Sequence, residues 1–208
     1  VRLPYPGGCV IGKRPVDIHI AALRQMGAEI ELEENGIHAT CQKPHGAEIH
    51  LPFPSVGATE NVILLAVKAE GETILHGAAR EPEVGELCRF LRSAGARIRG
   101  EGTDCIVIEG KQELHDTEFT VMPDRIVAGT YMLLLAATGG SIRLWEVPVE
   151  QLTSLWPVLG AMGVDVRTEG DRVSLARQRR KPCCLTVETA PYPGFPTDLQ
   201  SPLLAALA

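Results

Sequence analysis

Leu23-Arg24-Gln25-Met26-Gly27-Ala28-Glu29-Ile30 returns as Leu91-Arg92-Ser93-Ala94-Gly95-Ala96-Arg97-Ile98, and again as Leu159-Gly160-Ala161-Met162-Gly163-Val164-Asp165-Val166. The three glycines stand 68 residues apart, and a second mark keeps that step: Gly71-Glu72-Thr73-Ile74 recurs as Gly139-Gly140-Ser141-Ile142. Two independent marks with one period identify a tandem repeat whose copies are each one supersecondary unit.

Working outward from the glycines gives the contents of a unit. Val84, Leu87, Leu91 and Ala94 fall at helical spacing, as do Leu152, Leu155, Leu159 and Met162. Each run is an amphipathic helix, closed by a glycine where a left-handed C-terminal residue belongs. Two strands follow, divided by Gly102-Thr103-Asp104 in one copy and by Glu169-Gly170-Asp171 in the next, both turn signals. Upstream, residues 59–69 and 125–137 are apolar nearly all round, which predicts helices buried between layers. A glycine and a short strand come after each, at 73–75 or 141–144, and opening strands are expected near 49–51 and 119–121. The unit reads β-α-β-α-β-β. The fold expectation is therefore α/β (α+β), a repeated split βαβ arrangement with one helix buried.

The ends do not respect the period. Residues 15–27 read as only the second helix of a unit, with no strand or buried helix before it. Residues 198–208 begin another buried helix and stop inside it. An apolar half-helix needs a cover, so the expectation is a fragment of a longer repeat protein, its cut ends meeting the missing remainder or a neighbouring chain.

Composition narrows the function. The 208 residues are 45% hydrophobic and 22% charged, the balance of a globular protein rather than a disordered one. Twenty basic against 26 acidic side chains leave a net charge of −6, which argues against duplex nucleic acid or an anionic membrane face as partner. Aromatic residues, at 4%, are too few for base-stacking platforms. No apolar run approaches the roughly 20 residues of a membrane span. The simplest reading is a soluble, intracellular (cytoplasmic) α/β domain or a piece of one, and a small anionic substrate is not excluded. The six cysteines include no C-x-x-C pair and no histidine at ligand spacing, so their spacing supports no metal site. Cys41, Cys88, Cys105 and Cys184 read as small core hydrophobes. Of the six histidines, only His19 is placed to matter.

Three segments have chemical promise. Residues 7–13 satisfy G-x-x-x-x-G-K, but Arg14 replaces the Mg²⁺-binding hydroxyl and Pro4 and Pro6 interrupt the strand that should lead in, so this is no P-loop. It is instead a two-glycine loop carrying Cys9, whose thiol would be acidified by Lys13, Arg14 and the helix beginning at Pro15. Asp198 follows a proline-rich loop and opens a helix, either as an N-cap or as a carboxylate held at a cleft. Ser55 begins the buried helix of a unit, where free N–H groups could hold an anion or the hydroxyl simply caps. Arg177, Arg179, Arg180 and Lys181 read as a solvated turn.

PGGCxIGxRPVDxH at 6–19, SVGAT at 55–59, AAREPE at 78–83, PDRIxxGT at 123–130 and FPTDxQ at 195–200 together resemble UDP-N-acetylglucosamine 1-carboxyvinyltransferase, an enolpyruvyl transferase. The resemblance runs in order over essentially the whole chain. It implies two domains of βαβαββ units forming an inside-out α/β barrel, of which this chain is the middle portion. Residues 1–122 would belong to the first, catalytic domain and 123–208 to the second. The implied reaction transfers the enolpyruvyl group of phosphoenolpyruvate to the 3-hydroxyl of UDP-N-acetylglucosamine, the first committed step of peptidoglycan synthesis. Cell-wall biogenesis, cell shape and cell division depend on that step, and no cofactor or metal is implied.

By the same resemblance, Cys9 matches the loop cysteine that protonates the methylene carbon and is alkylated by fosfomycin. Arg14 matches an arginine on phosphoenolpyruvate. Arg14, Pro15, Val16, Asp17 and Ile18 match the first nucleotide-sugar segment, and Ser55, Val56 and Gly57 the second. Asp198 matches the base for the sugar hydroxyl. An acid and a base on opposite sides of the acceptor carbon, with guanidinium groups on a dianion, form a coherent set. There are departures. Phe53 stands where many members have Lys, Tyr192 where some have His, and a Lys-Asn pair and several arginines of the site lie outside this sequence. The competing readings are the related shikimate-pathway transferase, which needs no PGGC loop, and a non-catalytic nucleotide-sugar-binding or regulatory homologue.

Overall fold

In a computed structural model of the chain, which describes residues 1–4, 16–178 and 184–208, the repeat is visible at its glycines. Gly27, Gly95 and Gly163 have φ of +90°, +104° and +79°, each just past a helix, at a conformation that side chains with a Cβ rarely adopt. The helices before them end at Gln25, Ser93 and Ala161, and the strands after them start at Glu29, Arg97 and Asp165. Both sets keep the 68-residue step. The chain divides into two units, Val1–Phe119 and Thr120–Ala208.

The first unit opens with β1 (Arg2–Pro4), α1 (Asp17–Gln25), β2 (Glu29–Glu33) and β3 (Gly36–Thr40), with strands in the order β1-β3-β2 and both pairings antiparallel. A strand thus does precede the first helix, contrary to the sequence expectation. Pro4 is tolerated because β1 is an edge strand and Pro4 is its last residue.

A complete unit follows: β4 (Glu48–His50), α2 (Val56–Ala66), β5 (Glu72–His76), α3 (Pro82–Ser93), β6 (Arg97–Arg99) and β7 (Cys105–Glu109). The strand order is β4-β5-β7-β6, with β4 parallel to β5 and the other pairs antiparallel. Alternation assigns the faces. Ile49, Leu75, Ile98, Ile106 and Ile108 point inward onto α2 and α3, where Ala58, Val62, Ile63, Val84 and Cys88 complete the core. Each large aliphatic side chain buried there contributes about 1.5–3 kcal/mol. The outer face carries Glu72, Arg97, Arg99 and Glu109, with Arg99–Glu72 at 3.1 Å and Arg97–Glu109 at 3.2 Å. Such exposed pairs are worth at most about 1 kcal/mol each.

The second unit contains α4 (Arg125–Thr138), β8 (Gly140–Leu144), a 3₁₀ turn at Val149–Leu152, α5 (Trp156–Ala161), β9 (Asp165–Glu169), β10 (Arg172–Arg177), a 3₁₀ turn at Thr197–Leu199 and α6 (Gln200–Leu207). Its sheet runs β8-β10-β9, the order of β1-β3-β2 and of β5-β7-β6. Three copies of one strand–helix–strand–strand arrangement are therefore present. Residues 119–121, expected as an opening strand, form none, and β8 has no parallel partner among the described residues. The helix expected over 152–162 is also broken. Pro157 lacks an N–H and fits only in a first turn, so a 3₁₀ segment precedes a short α5. Leu152, Leu155, Leu159 and Met162 still reach the core.

Neither apolar helix is buried all round. Leu64 on α2 is exposed, and Val127, Tyr131 and Leu134 form one exposed stripe along α4 at helical spacing. On α6, Leu203 and Ala206 are buried and Leu204 is exposed. Among the described residues, no helix is long and apolar enough to cross a membrane.

Candidate active site

In the first unit, the described residues of both segments expected to bind a nucleotide sugar lie at helix starts. Val16 precedes α1 and Asp17 opens it. Ser55 is the residue before α2, and its hydroxyl oxygen accepts from the Ala58 N–H at 3.3 Å. The hydroxyl therefore does cap, while the first turn of α2 holds no acidic side chain to oppose an anion. The two helix starts are clamped together. The Asn61 amide nitrogen lies 2.7 Å from His19 Nδ1. An amide NH₂ only donates, so Nδ1 accepts and a neutral His19 keeps its proton on Nε2. Gly57 leaves the room for this contact, since a Cβ there would stand 3.0 Å from His19 Cε1.

A third motif is tied to the same helix. Thr59 is fully buried, and its hydroxyl oxygen accepts from the Ala79 N–H at 3.0 Å. One hydrogen bond thus joins SVGAT to AAREPE, and sequence spacing gives no hint of it. Next to it, Glu60 is held above the ordinary carboxylate range by partial burial and then by the charge of Glu83. Phe53 is 54% exposed, and its carbonyl accepts from the Ser55 N–H at 2.7 Å. The position that is lysine in many relatives by resemblance therefore presents an exposed ring and no cation.

Cys9, Arg14 and Pro15 lie outside the described residues, as do Lys13, Arg179, Arg180 and Lys181. The other cysteines correct the expectation of four core thiols. Of those four, only Cys88 is buried; Cys41 and Cys184 are exposed and Cys105 is intermediate. Burial, then the Glu101 charge, pushes the Cys88 thiol up to about 11 against the lowering effect of Arg92, which makes it unreactive. Arg177 also departs from expectation. It is 3% exposed, because the alternation of β10 puts it on the inward face with Val173 and Leu175.

In the second unit, Asp198 sits in the 3₁₀ turn Thr197–Leu199 and is exposed. The N-cap alternative fails: α6 is preceded by Leu199, and neither this turn nor α6 has a side-chain cap. The aspartate that caps is Asp124, whose Oδ1 accepts from the N–H groups of Ile126 at 2.7 Å and Val127 at 3.0 Å. Asp198 is nevertheless firmly placed. On its chain-start side, Phe195 is buried, the Ala190 N–H donates to Phe195 O at 3.0 Å, and the Gly194 N–H donates to Pro191 O at 2.8 Å. On the other side, buried Leu199 enters a notch over Gly129, where a Cβ would stand 2.8 Å from Leu199 Cδ1. PDRIxxGT and FPTDxQ are thereby packed together. Arg125, also buried, lies over the Tyr192 ring at 5.6 Å and anchors the same loop to α4. Neither part of the candidate site gathers metal ligands among the described residues; the one such group, Glu48, His50 and His76, is on the outer face of β4 and β5.

The repeated βαβαββ architecture is that of the enolpyruvyl transferases. The crystal structure of the enolpyruvyl transferase NikO from Streptomyces tendae matches with a TM-score of 0.79 at 24% identity, over 93% of this chain and 49% of that one. The chain belongs to the EPSP synthase (3-phosphoshikimate 1-carboxyvinyltransferase) family, whose model matches residues 2–207. Among its relatives, the UDP-N-acetylglucosamine 1-carboxyvinyltransferase of Nitratidesulfovibrio vulgaris (strain DP4) is 47% identical over 206 residues, 99% of this chain and 49% of the relative. The protein of that name from Desulfovibrio desulfuricans is 48% identical over 212 residues, again 99% and 49%. The chain spans about half the length of the curated relatives it matches.

Proposed function

We propose that the whole protein transfers the enolpyruvyl group of phosphoenolpyruvate to the 3-hydroxyl of UDP-N-acetylglucosamine, in the cytoplasm, as the step that commits carbon to peptidoglycan. The observation that carries this reading is Asp198: an exposed carboxylate on a turn pinned from both sides, with no capping role to occupy it. Asp198 takes the proton of the sugar hydroxyl as its oxygen attacks the central carbon of phosphoenolpyruvate. Cys9 gives a proton to the methylene carbon, and Arg14 neutralises the phosphate of the resulting tetrahedral intermediate. Loss of a proton from the new methyl group then expels phosphate and leaves the enol ether. Val16, Asp17, Ile18, Ser55, Val56 and Gly57 hold the nucleotide sugar at the paired helix starts, where backbone N–H groups suit an anionic ligand. Residues 1–122 serve as part of the first domain and 123–208 as part of the second. The names of the relatives support this acceptor. On this reading fosfomycin alkylates Cys9, and losing the protein affects cell shape and division.

Exposed Phe53 favours a second reading, a nucleotide-sugar-binding homologue without turnover. Calorimetric titration of the whole protein with UDP-N-acetylglucosamine tests what both share. Saturable binding is expected, with no comparable heat from 3-phosphoshikimate; the reverse preference contradicts the assignment.

A further inference from the structure

We propose that Glu48, His50 and His76 form a surface site for a divalent transition-metal ion of the zinc class, distinct from the transferase site and independent of its assignment. Strand pairing builds the group. Glu48 and His50 are two residues apart on β4 and face the same side, and the parallel register sets His50 directly beside His76 on β5. The His50 and His76 rings stack at 4.4 Å between centroids, 12° from parallel. One carboxylate oxygen of Glu48 lies 3.2 Å from Nε2 of His76 and 3.6 Å from Nε2 of His50.

Those separations are the ones a metal needs. Zinc bonds of about 2.0–2.1 Å in tetrahedral array place neighbouring donor atoms about 3.3–3.4 Å apart. All three donor atoms lie within 4.8 Å of one another. Two imidazoles and a carboxylate suit zinc and its neighbours in the first transition row, not magnesium or calcium, which take all-oxygen sites. The side chains are 63%, 69% and 35% exposed, so an ion reaches them directly from solvent. Cys105 stands opposite His76 in the β5–β7 register, a soft donor on the same face.

Charge on this face points the same way. Glu72 and Glu109 are paired with Arg97 and Arg99, whereas among the described residues Glu48 has no arginine or lysine partner and meets the two imidazoles. The ion would also tie the edge strand β4 to β5, adding to the Glu48–His76 contact and the His50–His76 stack that already join them on this face.

The test is calorimetric titration of the whole protein, stripped with EDTA, with ZnCl₂ and separately with MgCl₂. One saturable zinc site per chain is expected, with no magnesium site, and a rise in Tm that EDTA reverses. The double variant His50→Gln/His76→Gln changes only partly exposed side chains, and circular dichroism checks that it folds. It should lose the saturable site and the EDTA-reversible rise. Absence of saturable zinc binding by the wild type overturns the proposal, as does a folded double variant that binds zinc as the wild type does.

Discussion

Asp198 and Glu60 are both carboxylates in or beside the quoted sequence motifs, and their surroundings differ. Asp198 is exposed, does not act as a cap and sits on a turn held from both sides, as the base of the proposed reaction must. In the whole protein, Asp198→Asn should lower turnover by roughly 10²–10⁴, the range for general acid–base groups, while calorimetry finds sugar binding nearly unchanged. Glu60 is partly buried against α2's neighbours, and burial with the Glu83 charge raises its pKa. The folded protein therefore holds that proton more tightly than the unfolded chain. The stability so gained is full below the unfolded carboxylate value and is lost as pH rises through the raised folded value. Thermal melts of Glu60→Gln should show a higher Tm than wild type at pH 7, with the difference shrinking toward zero below about pH 4. The place of Ser55 before α2 was legible in the sequence, because a hydroxyl residue ahead of an apolar run is a local capping signal. His50, His76 and Arg177 were not, since strand register and the inward face of β10 decide their surroundings.

Elements were legible where local signals sufficed. The glycines after α1, α3 and α5 marked three helix ends, because a left-handed residue is a local requirement. The break in the helix over 152–162 was also written locally, in Pro157, but apolar periodicity ran across it and concealed it. The missing strand at 119–121 failed for another reason: a strand exists through its partner, and repeat periodicity assigns it a place without supplying one. Motif-to-motif contacts belong to this scale too. Gly129 on α4 receives Leu199, so Gly129→Ala pushes a Cβ to 2.8 Å from Leu199 Cδ1 and 3.3 Å from Leu155 Cδ2. Overpacking of this kind costs about 1–3 kcal/mol. Urea denaturation should report that loss. Because Leu199 is the residue after Asp198, kcat should fall more than KM rises; an unchanged kcat would mean that the turn holds Asp198 without help from the notch.

At the scale of the molecule, one period organises the fold: three sheets that share a three-strand order, and helices ending 68 residues apart. Family membership and fold follow from that organisation and from the match over residues 2–207. What distinguishes acceptors is finer than the fold, for the family is named for a phosphoshikimate transferase while the curated relatives are named for the nucleotide sugar. The most direct test is phosphate release from phosphoenolpyruvate by the whole protein, followed with UDP-N-acetylglucosamine or 3-phosphoshikimate as the acceptor. Release that requires UDP-N-acetylglucosamine and is not supported by 3-phosphoshikimate is the expected result. Release with 3-phosphoshikimate alone, or with neither acceptor, would contradict the assignment.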